Sequence, residues 1–503
     1  MATRYHIFRS FLISFALSVA IAGCALGPDF MRPQNKASER SAAFINDVYS
    51  GKAEYDDMNL WWERIDDPLF NKYVRQLLDE NLQLMQAAER IVQANARANI
   101  AGSENYPTLG ANGSASRSFT SNFSSFGGIG GAQRIYSNSY EANLESSWKI
   151  DLFGKIKRTV EAADAAALAS VYDRNALAHA LIAELLNVRV EIATQKTLMQ
   201  LAEKSAQNRR DTLQIIERRY EMGASSTNPQ DVLRARNNLS VAEGDVHRFE
   251  RLIADAAYRL DVLLGQAPGS NDPMQNDFPM ISPPIDVPIC LSGDLLDRRP
   301  DLRASELRVK ASNADIGVAI ADLYPSLSLG GSIGFSGSEP SNLFNAEQLA
   351  GSILASITAR IFEGGALRAN IDLQKSEARE LAAGYAEDVL NAMREVETNL
   401  KAERELRAEI GNAMQSVDAL RKAEDIIQKR YMRGIATLRD LLETQQELYA
   451  AEQNLVNVQA TKWNARTALY LALGGDWFGS VPSLGCGYAQ SDDAIEGYDD
   501  DEE

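Results

Sequence analysis

The chain has 503 residues, 45% of them apolar and 24% charged, values that suit a folded protein of two or three ordinary domains. A net charge of −18 argues against a nucleic-acid partner, whose phosphates need a basic surface. No P-loop, HExxH or CxxC motif occurs, and no nucleophile–base constellation, so neither an enzyme nor a metal site is expected. The three histidines, His6, His179 and His247, stand singly; the latter two are expected on helix surfaces.

Arg4, His6 and Arg9 form a short basic start, and Phe11 to Ala20 is an apolar run too short to span a bilayer comfortably. With the small residues that follow, this reads as a secretory signal over 1–23. Ile21-Ala22-Gly23-Cys24 resembles the lipobox of bacterial lipoproteins. The resemblance implies that Cys24 becomes the mature N-terminus, with diacylglycerol on its sulfur and an acyl chain such as palmitate on its nitrogen. Two or three chains at ~0.8 kcal/mol per buried CH₂ hold a protein on a membrane, and this covalent lipid is the only cofactor expected. Ala25, in place of the Asp that usually retains lipoproteins at the inner membrane, is compatible with outer-membrane sorting. Cys290 and Cys486 could pair in an oxidising periplasm, but spacing leaves this open.

Beyond the leader the chain is written twice. Leu78-Asp79 to Tyr106-Pro107 echoes Leu296-Asp297 to Tyr324-Pro325. Arg219-Tyr220-x-x-Gly223 echoes Arg430-Tyr431-x-x-Gly434, and Asp231-Val232-Leu233 echoes Asp440-Leu441-Leu442. The halves close on Leu264-Gly265 and Leu473-Gly474. Both halves are therefore expected to share one fold.

No proline lies between Pro107 and Pro229, or between Pro340 and Pro482, which permits very long helices. Residues 156–221, rich in helix formers, predict a helix of roughly 100 Å. Leu181, Leu185, Val188, Ile192, Met199 and Ala202 form a coiled-coil seam, as do Tyr385, Val389, Ala392 and Val396, then Leu406, Ile410, Val417 and Leu420. Gly223 and Gly434 end the long helices, and shorter antiparallel helices return.

Before each long helix the period changes to two. Tyr140 to Ile150 and Leu327 to Phe335 alternate apolar with polar or small residues, Leu349 to Ile361 continues the pattern, and Pro107 to Phe119 is a weaker strand. Such alternation over about ten residues marks a transmembrane β-strand. The Ser-, Gly- and Asn-rich stretches 120–138 and 337–348 are expected as loops. Four strands cannot close a barrel in lipid, so the subunit must oligomerise. Three copies supply twelve strands, whereas two supply only eight, too narrow for a conduit.

In this order, the signals resemble the outer-membrane factor family, the TolC- and OprM-like exit ducts in their NodT-type lipoprotein branch. The matches are Gly27-Pro28-Asp29-Phe30-x-Arg32-Pro33, Trp61-Trp62-x-x-x-x-Asp67-Pro68-Leu69, Asn81-Leu82, Trp148-x-x-Asp151-Leu152-Phe153-Gly154-Lys155, Leu296-x-x-Arg299-Pro300-Asp301-Leu302, Phe362-x-Gly364-Gly365 and Leu473-Gly474-Gly475-x-Trp477. The resemblance implies an α+β membrane protein. A homotrimeric 12-stranded β-barrel in the outer membrane would continue as a long antiparallel coiled-coil α-helical barrel through the periplasm, with a mixed equatorial domain. It divides the chain into the signal 1–23, an anchor and equatorial segment 24–70, a first repeat 71–265, an equatorial linker 266–295, a second repeat 296–474, and a C-terminal equatorial segment with an acidic, disordered tail 475–503. The first repeat holds a β-hairpin over 107–151, the long helix 156–221 and a return helix 228–264; the second holds a hairpin over 325–362 and helices 365–433 and 438–473.

The resemblance also places a periplasmic gate at the second tip. Asp440 and Glu443 align with acidic rings of relatives; they share a helix face, and threefold crowding would raise some of their pKa values. Leu438, Leu441 and Leu442 are apolar supports, and Tyr431 braces the turn. As solvated acids near a helix start, Asp440 and Glu443 would be equally at home. The latch arginine expected two residues after the turn glycine is replaced by Ala436, with Arg433 and Arg439 nearby. The tips, with Gly223, Asp231, Gly434 and Arg439, are expected to dock a periplasmic adaptor (a membrane fusion protein) that links to an inner-membrane pump, which the resemblance implies is of the resistance-nodulation-division type. The function implied is passive conduction of drugs or other small molecules out of the cell. A type I protein-secretion duct, or a non-channel coiled-coil surface lipoprotein, are the alternatives.

Overall fold

A computed structural model of the chain describes residues 25–32, 61–65, 67–122, 133–223, 228–275 and 298–474. Cys24, Cys290 and Cys486 lie outside the described residues, as do Asn59, Leu60 and everything from 475 onward. After a short 3₁₀ turn at Trp61–Ile65, the elements run α1 (Pro68–Glu80), α2 (Leu82–Ser103), β1 (Thr108–Asn122), β2 (Gln133–Ile150), α3 (Lys155–Glu221), α4 (Pro229–Leu263), α5 (Pro300–Ala321), β3 (Ser326–Gly337), β4 (Leu349–Thr358), α6 (Ala366–Met432) and α7 (Leu438–Ala472). The described residues divide between two compact units, one drawn from 1–33, 89–171 and 304–385, the other from 34–88, 172–303 and 386–503.

The first unit carries the sheet. Its strands run antiparallel in the order β1-β2-β3-β4, so β2 and β3 join the two repeats and β1 and β4 are left as edges. The register places Trp148 opposite Leu329, Leu144 opposite Ile333, and Leu327 opposite Ile357. Because directly opposed residues share a face, most of the apolar residues of the four strands gather on one side, Ile135 and Leu354 being exceptions. Leu109 and Phe119 of β1, Tyr140, Leu144 and Trp148 of β2, Phe335 of β3 and Ile353 of β4 belong to it. The other side carries Asn112, Ser114, Glu141, Asn143, Glu145, Ser328, Ser332 and Ser352.

Three strand boundaries differ from the sequence expectation; β1 runs on through residues 120–122, which were expected as loop. Gln133 to Asn138, expected as loop, extends β2, because Tyr136 packs against Phe119 at 6.2 Å and Arg117 lies 4.9 Å from the Tyr136 ring. At the other end β4 stops at Thr358, so Ile361 lies beyond it. The stretch after β3 is not featureless loop either; it folds two 3₁₀ turns, Pro340–Asn342 and Ala346–Gln348.

The second unit is a helical bundle. The seam Leu181, Leu185, Val188 and Ile192 of α3 is buried in its main core, with Val396 and Leu400 of α6 and Leu469 and Leu473 at the end of α7. Leu406, Ile410 and Leu420 are only half-buried, and Leu390, Met414 and Ile426 of the same helix α6 are exposed. Trp61 is fully buried in the main core and stacks on Tyr470 at 4.6 Å.

Several motif residues acquire physical roles here. Asp67 caps α1 by accepting from the Leu69 and Phe70 amides, and its second oxygen accepts from buried Arg189 at 2.6 Å. Asn81 divides α1 from α2: its side-chain amide donates to the Leu263 carbonyl, while its side-chain oxygen accepts from the Gln83 and Leu84 amides. Gly265, in the left-handed region, lies so close to the end of α1 that a Cβ would stand 2.5 Å from the Glu80 oxygen. Arg299 grips Asp301, Glu395 and the Ala472 carbonyl. His179, expected on a helix surface, is buried, and desolvation, with Arg299 near it, pushes its pKa down to about 2, so it is neutral. His247 is exposed beside Glu250.

Candidate functional site

Three features bear on function: the sheet, the segment that follows Cys24, and the helix tips. The sheet presents an apolar face that the chain leaves uncovered, with Ile353 95% and Ile357 72% exposed. From Ile150 to Tyr140, at roughly 3.3 Å per residue and a tilt of about 40°, this face is about 25 Å tall, the height of a lipid-facing band. The polar face opposite suits the wall of a water-filled lumen.

Residues 25–32 form a strap across the strand-to-helix junction of the same unit. Leu26 donates its amide to the Phe153 carbonyl at 3.2 Å. The side chain of Arg158, on the first turn of α3, is almost fully buried; it donates to the Leu26 carbonyl at 3.2 Å, to Asp29 at 2.7 Å and to Glu161 at 2.7 Å. Asn313 of α5 donates to the Pro28 carbonyl, and Arg32 pairs with Glu306. Glycines permit the close approach: a Cβ on Gly317 would stand 2.7 Å from the Leu26 oxygen, and one on Gly154 would stand 2.5 Å from the Ala25 Cα. The position of Ala25 thus brings the chain to the sheet-proximal end of α3, one residue after Cys24. Sequence reasoning noted the motif around Gly27 but not the role of Arg158, which stands in the basic run Lys155-Ile156-Lys157-Arg158 with nothing to single it out.

The tips lie in the second unit. Gly434 (φ 74°) donates to the Tyr431 carbonyl at 3.0 Å and Ile435 to the Arg430 carbonyl at 2.9 Å, the paired bonds of a Schellman stop. Gly223 (φ 71°) makes the equivalent bond to the Tyr220 carbonyl. Each return helix starts with a reciprocal capping box, Asn228 with Asp231 and Thr437 with Asp440. Asp231 and Asp440 thus hold equivalent places in the two halves, as the repeat required.

Asp440 and Glu443 are both exposed on α7. Within the single chain the Asp440 carboxyl is held below the usual carboxylate range, because Thr437 donates to it. Leu441 is buried, and Leu438 packs on Ile216, Val232 and Ala235 of the first tip. Arg439 and Glu443 line an open groove of about 620 Å³ between α4 and α7, with Arg234, Asn237 and Gln446. Beside it Arg209 ties the helices together, donating to the Asn238 carbonyl and to Gln446. No arginine was assigned to bind the tips to each other, yet Arg219 does so: it lies 4.8 Å from the Tyr431 ring and donates to the Met432 carbonyl at 3.2 Å. Its place in the Arg-Tyr repeat was the available signal. Among the described residues no group of three His, Cys, Asp or Glu side chains assembles a metal site.

A sheet with a lipid-height apolar face, in a chain that also holds duplicated long helical hairpins, defines a membrane-duct subunit. The family model for outer membrane efflux proteins matches residues 73–266 and 291–475. The solvent efflux pump outer membrane protein SrpC of Pseudomonas putida is 30% identical over 92% of this chain and 97% of its own length. The outer-membrane channel OprN superposes with a TM-score of 0.78 at 30% identity, over 90% of this chain and all of OprN. The open-state MtrE channel of Neisseria gonorrhoeae gives a TM-score of 0.75 at 28% identity, over 90% of this chain and 98% of MtrE. The chain belongs to the outer membrane efflux protein family. It is an outer-membrane channel protein for efflux.

Proposed function

We propose that three copies of the chain close a twelve-stranded barrel in the outer membrane and conduct small molecules passively from a periplasmic adaptor and an inner-membrane pump of the resistance-nodulation-division type. The observation that carries this reading is the open four-stranded sheet, in which β1 and β4 each have one edge that no strand among the described residues pairs with. Unpaired backbone groups at membrane depth each cost several kcal/mol, so β4 of one copy is paired with β1 of the next. The exposed apolar residues Leu390, Met414 and Ile426 of α6 support the same assembly, since an oligomer gives such positions somewhere to pack.

Cys24 carries the lipid in this account, because the strap that follows it ends beside the membrane sheet. Asp440 and Glu443 line the periplasmic entrance as acidic rings, and the groove flanked by Arg439 receives the adaptor together with the turns at Gly223 and Gly434. No step of bond chemistry is required, and cargo choice rests with the pump.

Complementation tests the reading. In a host lacking its own outer-membrane efflux channel, co-expression with the cognate pump and adaptor restores resistance to the pump's cargo, and chemical crosslinking captures the adaptor at the tips. Unrestored resistance with all three proteins correctly localised would contradict it.

A further inference from the structure

We propose that in the assembled trimer Arg430 lies over the ring of Tyr220 of the partner subunit, completing a belt of arginine–tyrosine pairs around the helix tips. The inference rests on the trimer reading above.

The two tips carry the same pair at the same distance from the turn: Arg219-Tyr220 before Gly223, and Arg430-Tyr431 before Gly434. Both glycines adopt nearly the same left-handed conformation, with φ of 71° and 74°, so the pairs leave their helices in equivalent ways. Within one protomer the arginine of the first tip covers the tyrosine of the second: Arg219 lies 4.8 Å from the Tyr431 ring, and Tyr431 is buried. That contact uses one arginine and one tyrosine and leaves the other two. Tyr220 is 46% exposed and Arg430 is exposed as well. Among the described residues neither side chain makes a hydrogen bond, ion pair or ring contact, although Arg430 is near enough to favour the charged form of Asp440.

Threefold closure of a duplicated chain supplies the missing partner. Around such a ring the first and second tips alternate, so the second tip of one subunit faces the first tip of the next. If the duplicated halves are spaced evenly, this step repeats the step within a protomer. The contact from Arg219 to Tyr431 then recurs as a contact from Arg430 to Tyr220 of the partner subunit. The planar guanidinium suits the ring face, and the pairs tie the tips to one another. The belt would hold the entrance together without any arginine at Ala436.

Crosslinking of the full-length protein tests this. In a Cys290→Ser, Cys486→Ser background that retains Cys24, Tyr220→Cys is combined with Arg430→Cys and treated with a short bismaleimide. The expected products on a denaturing gel are covalent dimers and trimers. The control, Arg219→Cys with Tyr431→Cys, gives only a single chain linked to itself. A protein that sediments as a trimer, yet yields no inter-subunit product from the 220/430 pair, overturns the inference and leaves the trimer standing. A protein that sediments as a monomer overturns the trimer reading instead, and the belt with it.

Single-channel recording separates a ring contact from a merely structural role. Tyr220→Phe keeps the aromatic face and leaves the closed-state dwell times unchanged. Tyr220→Leu removes the face and destabilises the closed state roughly threefold per pair, equivalent to about 0.7 kcal/mol. Equal effects of the two substitutions would count against the contact.

Discussion

Asp440 and Thr437 cap each other. The Asp440 amide donates to the Thr437 hydroxyl at 3.2 Å, and the Thr437 amide donates to the Asp440 carboxylate at 3.1 Å. The acid aligned with a gate ring is therefore also a structural element of the second tip. The two roles separate by mutation. Thr437→Ala removes one bond of the cap at a cost of about 1 kcal/mol and leaves both acids charged, so cation selectivity in planar bilayers is retained. Asp440→Asn with Glu443→Gln lowers the selectivity. Equal selectivity in both variants would remove the acidic ring from the account.

The cap also sets a pH dependence. The folded-state pKa of Asp440 is depressed, so its contribution is present above the unfolded-state value and is lost as pH falls through the folded one. Hydrogen exchange at the Thr437 amide, which donates to the carboxylate, is predicted to accelerate, relative to the intrinsic rate, on acidification below the ordinary Asp range. The Asp440→Asn variant lacks that acid-induced step.

His179 gives an opposite test in the bundle core, where burial holds its pKa at about 2. Its unfolded-state value is near 6.5, so the unfolded chain takes up the proton first. The stability it protects is fully present above that pH and falls by up to about 1.4 kcal/mol per pH unit on acidification toward the folded-state value. Thermal unfolding between pH 7 and pH 5 is predicted to show a shallower pH dependence for His179→Gln than for the parent.

Arg466 and Glu403 form a buried ion pair between α7 and α6, with the Arg466 Nε 2.7 Å from Glu403 Oε2. Glu403→Ala removes the paired carboxylate from a buried guanidinium and is predicted to destabilise the protein by about 3–5 kcal/mol. Replacing both residues with methionine costs far less than the sum of the single changes. Denaturation of the four proteins as a double-mutant cycle measures the coupling.

The strap is tested at Gly317. Gly317→Ala places a methyl 2.7 Å from the Leu26 oxygen and 2.9 Å from Arg158 Cγ, so the strap must move. Amide exchange at Leu26 is predicted to rise, as it does in Arg158→Ala, where bonds worth about 2 kcal/mol are lost. The lipidation proposed at Cys24 is predicted to be unchanged in both variants, because residues 21–24 are intact.

Periodicity made much of the fold legible. Proline-free stretches and the 3–4 spacing from Leu181 to Ala202 marked the long helix α3, and alternation from Tyr140 to Ile150 marked β2. The extension of β2 to Gln133 was hidden, because Arg134, Ser137 and Asn138 carry no apolar alternation; it is held by the contacts of Tyr136 with β1. The break at Asn81 was equally hidden, since its side chain is satisfied by the Leu263 carbonyl from far along the chain. At the tips, the turn glycines and capping acids were visible as repeats. Arg158 and Arg209 were not, because an arginine's long side chain finds its partners across helices and leaves no local pattern.

The most direct test of the account is the mass and conductance of the purified full-length protein in detergent. Native mass spectrometry is predicted to give a mass three times that of the mature lipidated chain, and the same preparation is predicted to form discrete channels in planar bilayers. A folded monomer that forms no channel would contradict the central claim.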